Sequence, residues 1–231
     1  MKKLEDYLYY HEPGPPDIKI YCGDCLEVMP LLPKVDLVVT DPPYGIDYDP
    51  KVHKKYNGNE SSFDKIEGDG KETDLSMILS MKCEKIIWGA ENLFKQLPHR
   101  GRWICWYKRS HVTRPNSMPS GDFELAWMDK TSGFYKYINI IHGGCVNTDS
   151  FKGNNEPRLH PTQKPVELMK FCIQQSKYWD IPLLILDPYM GSGTTLVACK
   201  ELKRNGIGIE INEKYCSIAK KRLQNTQVPF I

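Results

Sequence analysis

The chain has 231 residues, 26% of them charged and 40% hydrophobic, and a net charge of +2. That length fits one α/β domain, so residues 1–231 read as a single unit. So mild a charge excludes a uniformly basic nucleic-acid binder and leaves local clusters: Arg100, Arg102, Lys108, Arg109, His111 and Arg114, or Lys51, His53, Lys54 and Lys55. No apolar run reaches the ~20 residues that cross a bilayer. No secretory signal precedes the eight cysteines, so a cytoplasmic chain with reduced thiols is expected. Cys22 and Cys25 lack a second pair at zinc spacing, and no metal site is expected.

Met1 to Asp17 is charged, aromatic and proline-rich without a clear period, and is expected as a surface loop or a fragment of helix. Ile18 to Tyr21 reads as a strand, Leu26 to Leu32 as a short helix, and the run from Val35 as a strand buried on both faces. This βαβ unit crosses over right-handed and puts Asp24 and Asp41 at the same sheet edge. Pro42 and Pro43 forbid the strand's continuation. Asp41 and Tyr44 therefore stand on a stiff turn past its carboxyl end, where ligands bind in open α/β sheets.

Residues 46–71 are polar and aperiodic, which predicts a mobile loop beside Asp41. Leu75, Ile78, Leu79 and Lys82 follow helical spacing behind Thr73 or Asp74, and Lys85 to Trp88 reads as a strand. Glu91 to Leu97 is a short helix closed by Pro98. Trp103 to Tyr107 and Phe123 to Met128 are further strands, with Tyr135 to Ile141 expected as an antiparallel edge. Aromatics and cations interleave through this third, a mixture suited to base stacking and phosphate contact.

Pro165 opens a helix whose apolar face carries Leu168, Met169, Cys172 and Ile173. Leu183 to Leu186 is a buried strand running into Asp187 and a glycine turn, followed by a helix and the strand Ile207 to Ile211 bearing Glu210. Strand, glycine turn, helix and a second strand ending in an acid about 20 residues on form the arrangement that binds a nucleoside cofactor. The turn is G-x-G-T-T without a phosphate-cradling lysine, which disfavours dinucleotides and nucleoside triphosphates. The last helix, capped by Asn212, turns Tyr215, Ile218, Ala219 and Leu223 to the sheet and Lys214, Lys220, Lys221 and Arg222 outward or toward its end.

With these motifs placed, the chain resembles the S-adenosylmethionine-dependent DNA amino-methyltransferases, in the permuted order called the β class. DPPY is Asp41 to Tyr44, HPTQKPVELM is His160 to Met169, DPYMGSGTT is Asp187 to Thr195, and GIGIEINEKYCSIAKKRL is Gly206 to Leu223. The resemblance implies a circularly permuted, Rossmann-like α/β sheet of seven strands, mostly parallel with an antiparallel edge and helices on both faces. It implies methyl transfer to N6 of a flipped-out adenine, with S-adenosylhomocysteine as product and Asp41, Pro42, Pro43 and Tyr44 as the catalytic turn.

The implied cofactor residues are Asp24 and Cys25 at the adenine, Glu210 at the ribose, and Asp187, Gly191, Ser192, Gly193 and Thr194 along the methionine portion. Thr162, Lys164 and Pro165 would lie near the methionine carboxylate, and Asp41, Pro188 and Ile211 complete the set. Aspartate rather than serine at position 41 points to adenine. Cytosine N4 methylation by the same chemistry, or a catalytically silent nucleic-acid-binding relative, stays open. The expected partners are double-stranded DNA, a second copy of the chain, and a restriction or specificity subunit of a bacterial or phage system, with no membrane. The target-recognition insert, about 129–159, is short for the family.

Overall fold

The apolar run at Leu37–Thr40 (β3) is the centre of the sheet. In the computed structural model, which describes residues 2–45, 70–71, 73–108, 122–130, 133–140, 163–181 and 183–228, all four of its residues are buried. Leu37 and Val39 pack into one apolar cluster and Val38 into another across the sheet, because successive side chains of a strand point to opposite faces. The segments 46–69 and 141–162, and with them most of the expected loop and insert and many of the basic-cluster residues, lie outside the described residues.

Around β3 stand β1 (Leu8–Glu12), β2 (Ile18–Cys22), β4 (Glu84–Trp88), β5 (Arg102–Tyr107), β6 (Phe123–Met128), β7 (Lys136–Asn139), β8 (Leu184–Asp187) and β9 (Asn205–Glu210). Their order in one sheet is β1-β2-β9-β8-β3-β4-β6-β5-β7. The run β2-β9-β8-β3-β4 is parallel, so these five strands end on the same edge. From β3 the chain goes on to β4, while from β8 it goes on to β9 in the opposite direction, which makes the gap between β8 and β3 a topological switch point.

Helices cover both faces. α4 (Val166–Gln174), α5 (Thr194–Glu201) and α6 (Glu213–Asn225) share a cluster with Leu37 and Val39. On the other face, Val28 of α1 (Cys25–Val28), Ile78 of α2 (Ser76–Ser80) and Leu93 of α3 (Ala90–Leu93) share a cluster with Val38. Among the described residues no helix is long and apolar enough to cross a membrane.

Several expectations need correction. Among the described residues the sheet has nine strands, not seven. Part of the first seventeen residues is no loop: a 3-10 turn at Leu4–Tyr7 leads into β1, which pairs antiparallel with β2. An edge strand with no fully buried residue, its half-buried Tyr9 and Tyr10 adjacent in sequence, carries no alternation to read. β2 and β3 share the sheet and its direction but are separated by β9 and β8. β7 runs parallel to β5, not antiparallel. The reason is where the chain leaves β6: Met128 pairs with Arg102 at the start of β5, and β7 begins from that same end, with Lys136 opposite Ile104. Arg102 Nε holds the connection by donating to the Gly133 carbonyl at 2.7 Å.

Candidate functional site

Beyond the ends of β2, β9, β8 and β3 lies a cleft of about 400 Å³. Its wall contains Asp41, Pro42, Pro43 and Tyr44 from the β3 turn and Asp187, Pro188, Gly191 and Ser192 from the β8 turn, with Thr194. Asp24 and Cys25 enter after β2, Glu210 and Ile211 at the end of β9, and Lys164 ahead of α4. Of the sequence-derived site residues, Gly193 and Pro165 are not on this wall, and Thr162 lies outside the described residues.

The half built on β8 and β9 is laced by carboxylates. Asp187 Oδ1 accepts from Thr40 Oγ1 at 2.9 Å and Oδ2 from Thr195 Oγ1 at 2.6 Å, tying the tips of β3 and β8 together. Burial raises its carboxyl to about 6 against the pull of those hydroxyls. Glu210 accepts from the Gly191 N–H at 3.0 Å and the Asn212 N–H at 2.9 Å, and burial raises it to about 7. Each oxygen keeps a lone pair free to accept from a vicinal diol. Asp24 caps α1, accepting from the Leu26 N–H at 2.8 Å. Leu26 and Ile211 line the cleft while about half exposed, an apolar flank of the kind small-molecule sites carry. These features fit the ribose and base of S-adenosylmethionine.

Gly193 serves packing. It stands at φ +79°, and a Cβ there would lie 2.7 Å from Cβ of Ala219, so its missing side chain lets α5 start against α6. Arg222 stands in the last turn of α6, toward the helix end as expected, and is buried rather than outward. It is 8% exposed, and its Nη1 donates to the Ser192 carbonyl at 2.8 Å, to Ser192 Oγ at 3.1 Å and to Thr194 Oγ1 at 3.0 Å. A guanidinium from the last helix thus clamps the glycine turn from behind.

The half built on β3 is a chain of alternating charges. Tyr44 donates its hydroxyl to Asp41 Oδ1, and Lys164 Nζ stands 2.5 Å from Asp41 Oδ2. Lys164 also pairs with Glu124 Oε2 at 3.1 Å, and Glu124 Oε1 pairs with Lys108 at 2.7 Å. Burial raises the Asp41 carboxyl, with Lys164 opposing. Burial alone would lower Lys164, but Asp41 and Glu124 hold it well above the usual lysine value. Burial would likewise raise Glu124, but Lys164 and Lys108 bring it down to about 2. Lys164 is therefore turned to the Asp41 turn, on the wall of the same cleft. The packing explains it: Leu168 and Met169 of α4 share a cluster with Leu37 and Val39, which delivers Lys164, two residues ahead of α4, to the tip of β3.

Two supports of this turn escaped sequence reading. Thr73 Oγ1 donates to the Pro43 carbonyl at 2.7 Å, while Gln96 Nε2 donates to the Thr73 carbonyl at 2.9 Å. Gly89, at φ +68° between β4 and α3, leaves the space that the Tyr44 ring fills; a Cβ there would overlap the ring. Glu124 escaped too. It occupies an ordinary strand position, and only the sheet order brings it beside Lys164. A glycine directly after an apolar strand was the one usable signal, for Gly89.

The sequence profile described as DNA methylase matches residues 127–221. The type II methyltransferase M.HpaI of Haemophilus parainfluenzae is 29% identical over 90% of this chain and 75% of its own length. The type II methyltransferase M.HinfI of Haemophilus influenzae is 28% identical over 87% of this chain and 67% of its own. The crystal structure of the M1.HpyAVI–SAM complex superposes with a TM-score of 0.56 and 26% identity, covering 89% of this chain and 98% of that one.

Proposed function

We propose that this chain, an S-adenosylmethionine-dependent DNA amino-methyltransferase, methylates N6 of an adenine everted from double-stranded DNA. The observation that carries the reading is that the Asp41 turn and the Glu210 strand tip open into one cleft. Bound S-adenosylmethionine supplies a sulfonium methyl group. Glu210 receives the ribose hydroxyls, and Asp24 with Cys25 borders the adenine of the cofactor.

Asp41 has the harder task. An exocyclic amine is a poor nucleophile because its lone pair is delocalised into the ring. Asp41 and the Pro42 carbonyl accept its two hydrogens and localise that pair toward the methyl group. Each Asp41 oxygen already has one partner, Tyr44 or Lys164, and keeps a second lone pair for the amine. Eversion costs a few kcal/mol, and stacking on Tyr44 offsets about 1 to 3 kcal/mol of it.

We assign target recognition to about 129–159, with help from the loop at about 46–71, which returns to the cleft wall at Lys71. The exposed Phe134, Tyr135 and Tyr137 within this insert are suited to nucleic-acid contact. A second copy of the chain and a restriction partner reading the same sequence belong to the same proposal; sedimentation with and without DNA separates one copy from two.

The test is incubation with mixed-sequence DNA and methyl-labelled cofactor, followed by nucleoside analysis. N6-methyladenine is expected. N4-methylcytosine, or no transfer, overturns the reading. Asp41→Ala should lower turnover by at least ~100-fold, as loss of a pre-organised polar group does, with cofactor affinity within a few fold.

A further inference from the structure

We propose that Glu124 is a positioning residue for methyl transfer: by sharing Lys164 with Asp41, it keeps the Asp41 carboxylate available to the target amine. The inference rests on the adenine reading above. Lys164 is 8% exposed, so its ammonium cannot turn to water for partners. Among the described residues it donates to Asp41 Oδ2 at 2.5 Å and to the Tyr44 hydroxyl at 3.4 Å, and it forms an ion pair with Glu124 Oε2 at 3.1 Å. Glu124 reaches this place from β6, across β4 from the Asp41 strand, and Lys108 holds its other oxygen at 2.7 Å.

Without the Glu124 charge, one buried carboxylate would face two ammonium groups. Lys164 would then close on Asp41 alone, lowering both its proton affinity and its strength as an acceptor. With Glu124 in place the four charges alternate and cancel. Buried ion pairs are weak evidence for stability, because desolvation offsets their attraction. What this pair changes is the carboxylate at the reacting centre. Among the described residues, the other ionisable groups around Asp41 are Tyr44 on its own turn and Asp187 at the tip of β8. Glu91 of α3, which accepts from the Leu125 N–H at 3.3 Å, also faces Glu124 and Lys164.

The test is single-turnover methyl transfer to DNA by the full chain, followed between about pH 5.5 and 9, for wild type, Glu124→Gln and Glu124→Asp. Glu124→Gln should slow transfer ~10-fold and move the acid limb of the rate profile down by about one pH unit, as loss of a neighbouring like charge does. Affinity for S-adenosylhomocysteine should stay within about threefold, since Glu124 does not touch the cofactor half. Glu124→Asp should recover part of the rate. In a Lys164→Met background, Glu124→Gln should slow transfer by much less than ~10-fold, because the part of its effect that passes through Lys164 is already gone.

A Gln variant with the wild-type rate and acid limb, or one whose loss adds fully to that of Lys164→Met, overturns the proposal. If Glu124→Gln does not fold, Glu124→Asp decides: a slower rate with a displaced limb supports the role, and an unchanged profile overturns it. A wild-type chain that methylates no adenine rejects the underlying reading instead, so the two failures are distinguishable.

Discussion

Cofactor binding should release a proton from Glu210. Burial, opposed by the Asn212 and Gly191 N–H groups, raises its carboxyl from the ordinary 4.5 to about 7. Ribose hydroxyls donate hydrogen bonds, so the cofactor selects the ionised form. At pH 6, about one unit below that value, only about one-tenth of the free protein carries the charge, and the apparent Kd should be ~10-fold weaker than its plateau above about pH 8. Asp187, raised to about 6, titrates about one unit lower, so between about pH 6.5 and 8 the slope is dominated by Glu210. Titration calorimetry with S-adenosylhomocysteine, in two buffers of different ionisation enthalpy, should report release of most of one proton at about pH 6.5 and almost none above about pH 8. Glu210→Gln should bind more weakly and flatten the profile. A wild-type Kd that is level across this window, or a Gln variant that keeps the slope, would refute the reasoning.

The same group gives the unliganded chain a pH-dependent stability of defined sign. A carboxyl raised in the native state stabilises most below its unfolded value, and that contribution is lost as pH rises through about 7. Urea denaturation should therefore show wild-type stability falling by up to ~1.4 kcal/mol per pH unit between about pH 4.5 and 7, a slope that Glu210→Gln reduces. Gly89→Ala forces a side chain into φ +68° and into the Tyr44 ring. It should cost about 1 to 2 kcal/mol in denaturant unfolding and reduce methyl transfer, while cofactor affinity holds. Arg222→Met removes three hydrogen bonds to the glycine turn from a buried site. A stability loss on the order of 3 kcal/mol and weaker binding of S-adenosylhomocysteine are expected, measured by denaturation and calorimetry; binding at wild-type strength would reject the clamp.

Local chemistry determined much of this protein before any tertiary structure. The β-branched run ending in Asp41-Pro42-Pro43-Tyr44 had to be a buried strand with a rigid turn at its tip, because proline fixes its own φ and donates no hydrogen bond. Strand, glycine turn, helix and the second strand ending in Glu210 were likewise legible in order, and the structure has them so. The Asn212 cap of the last helix was legible too, its side chain accepting from the Lys214 N–H at 3.0 Å. Each is a signal confined to a few neighbouring residues.

What only the tertiary structure decided are meetings between distant segments. Lys164 lies 123 positions from Asp41, and Arg222 lies 30 from the Ser192 it clamps. Glu124 joins them only because β6 falls next to β4. Nothing along the chain marks such a buried ion as different from a solvated one. Its charge, length and neighbours in sequence are the same in both cases, and burial, which sets its partners and its proton affinity, is a property of the packed sheet alone.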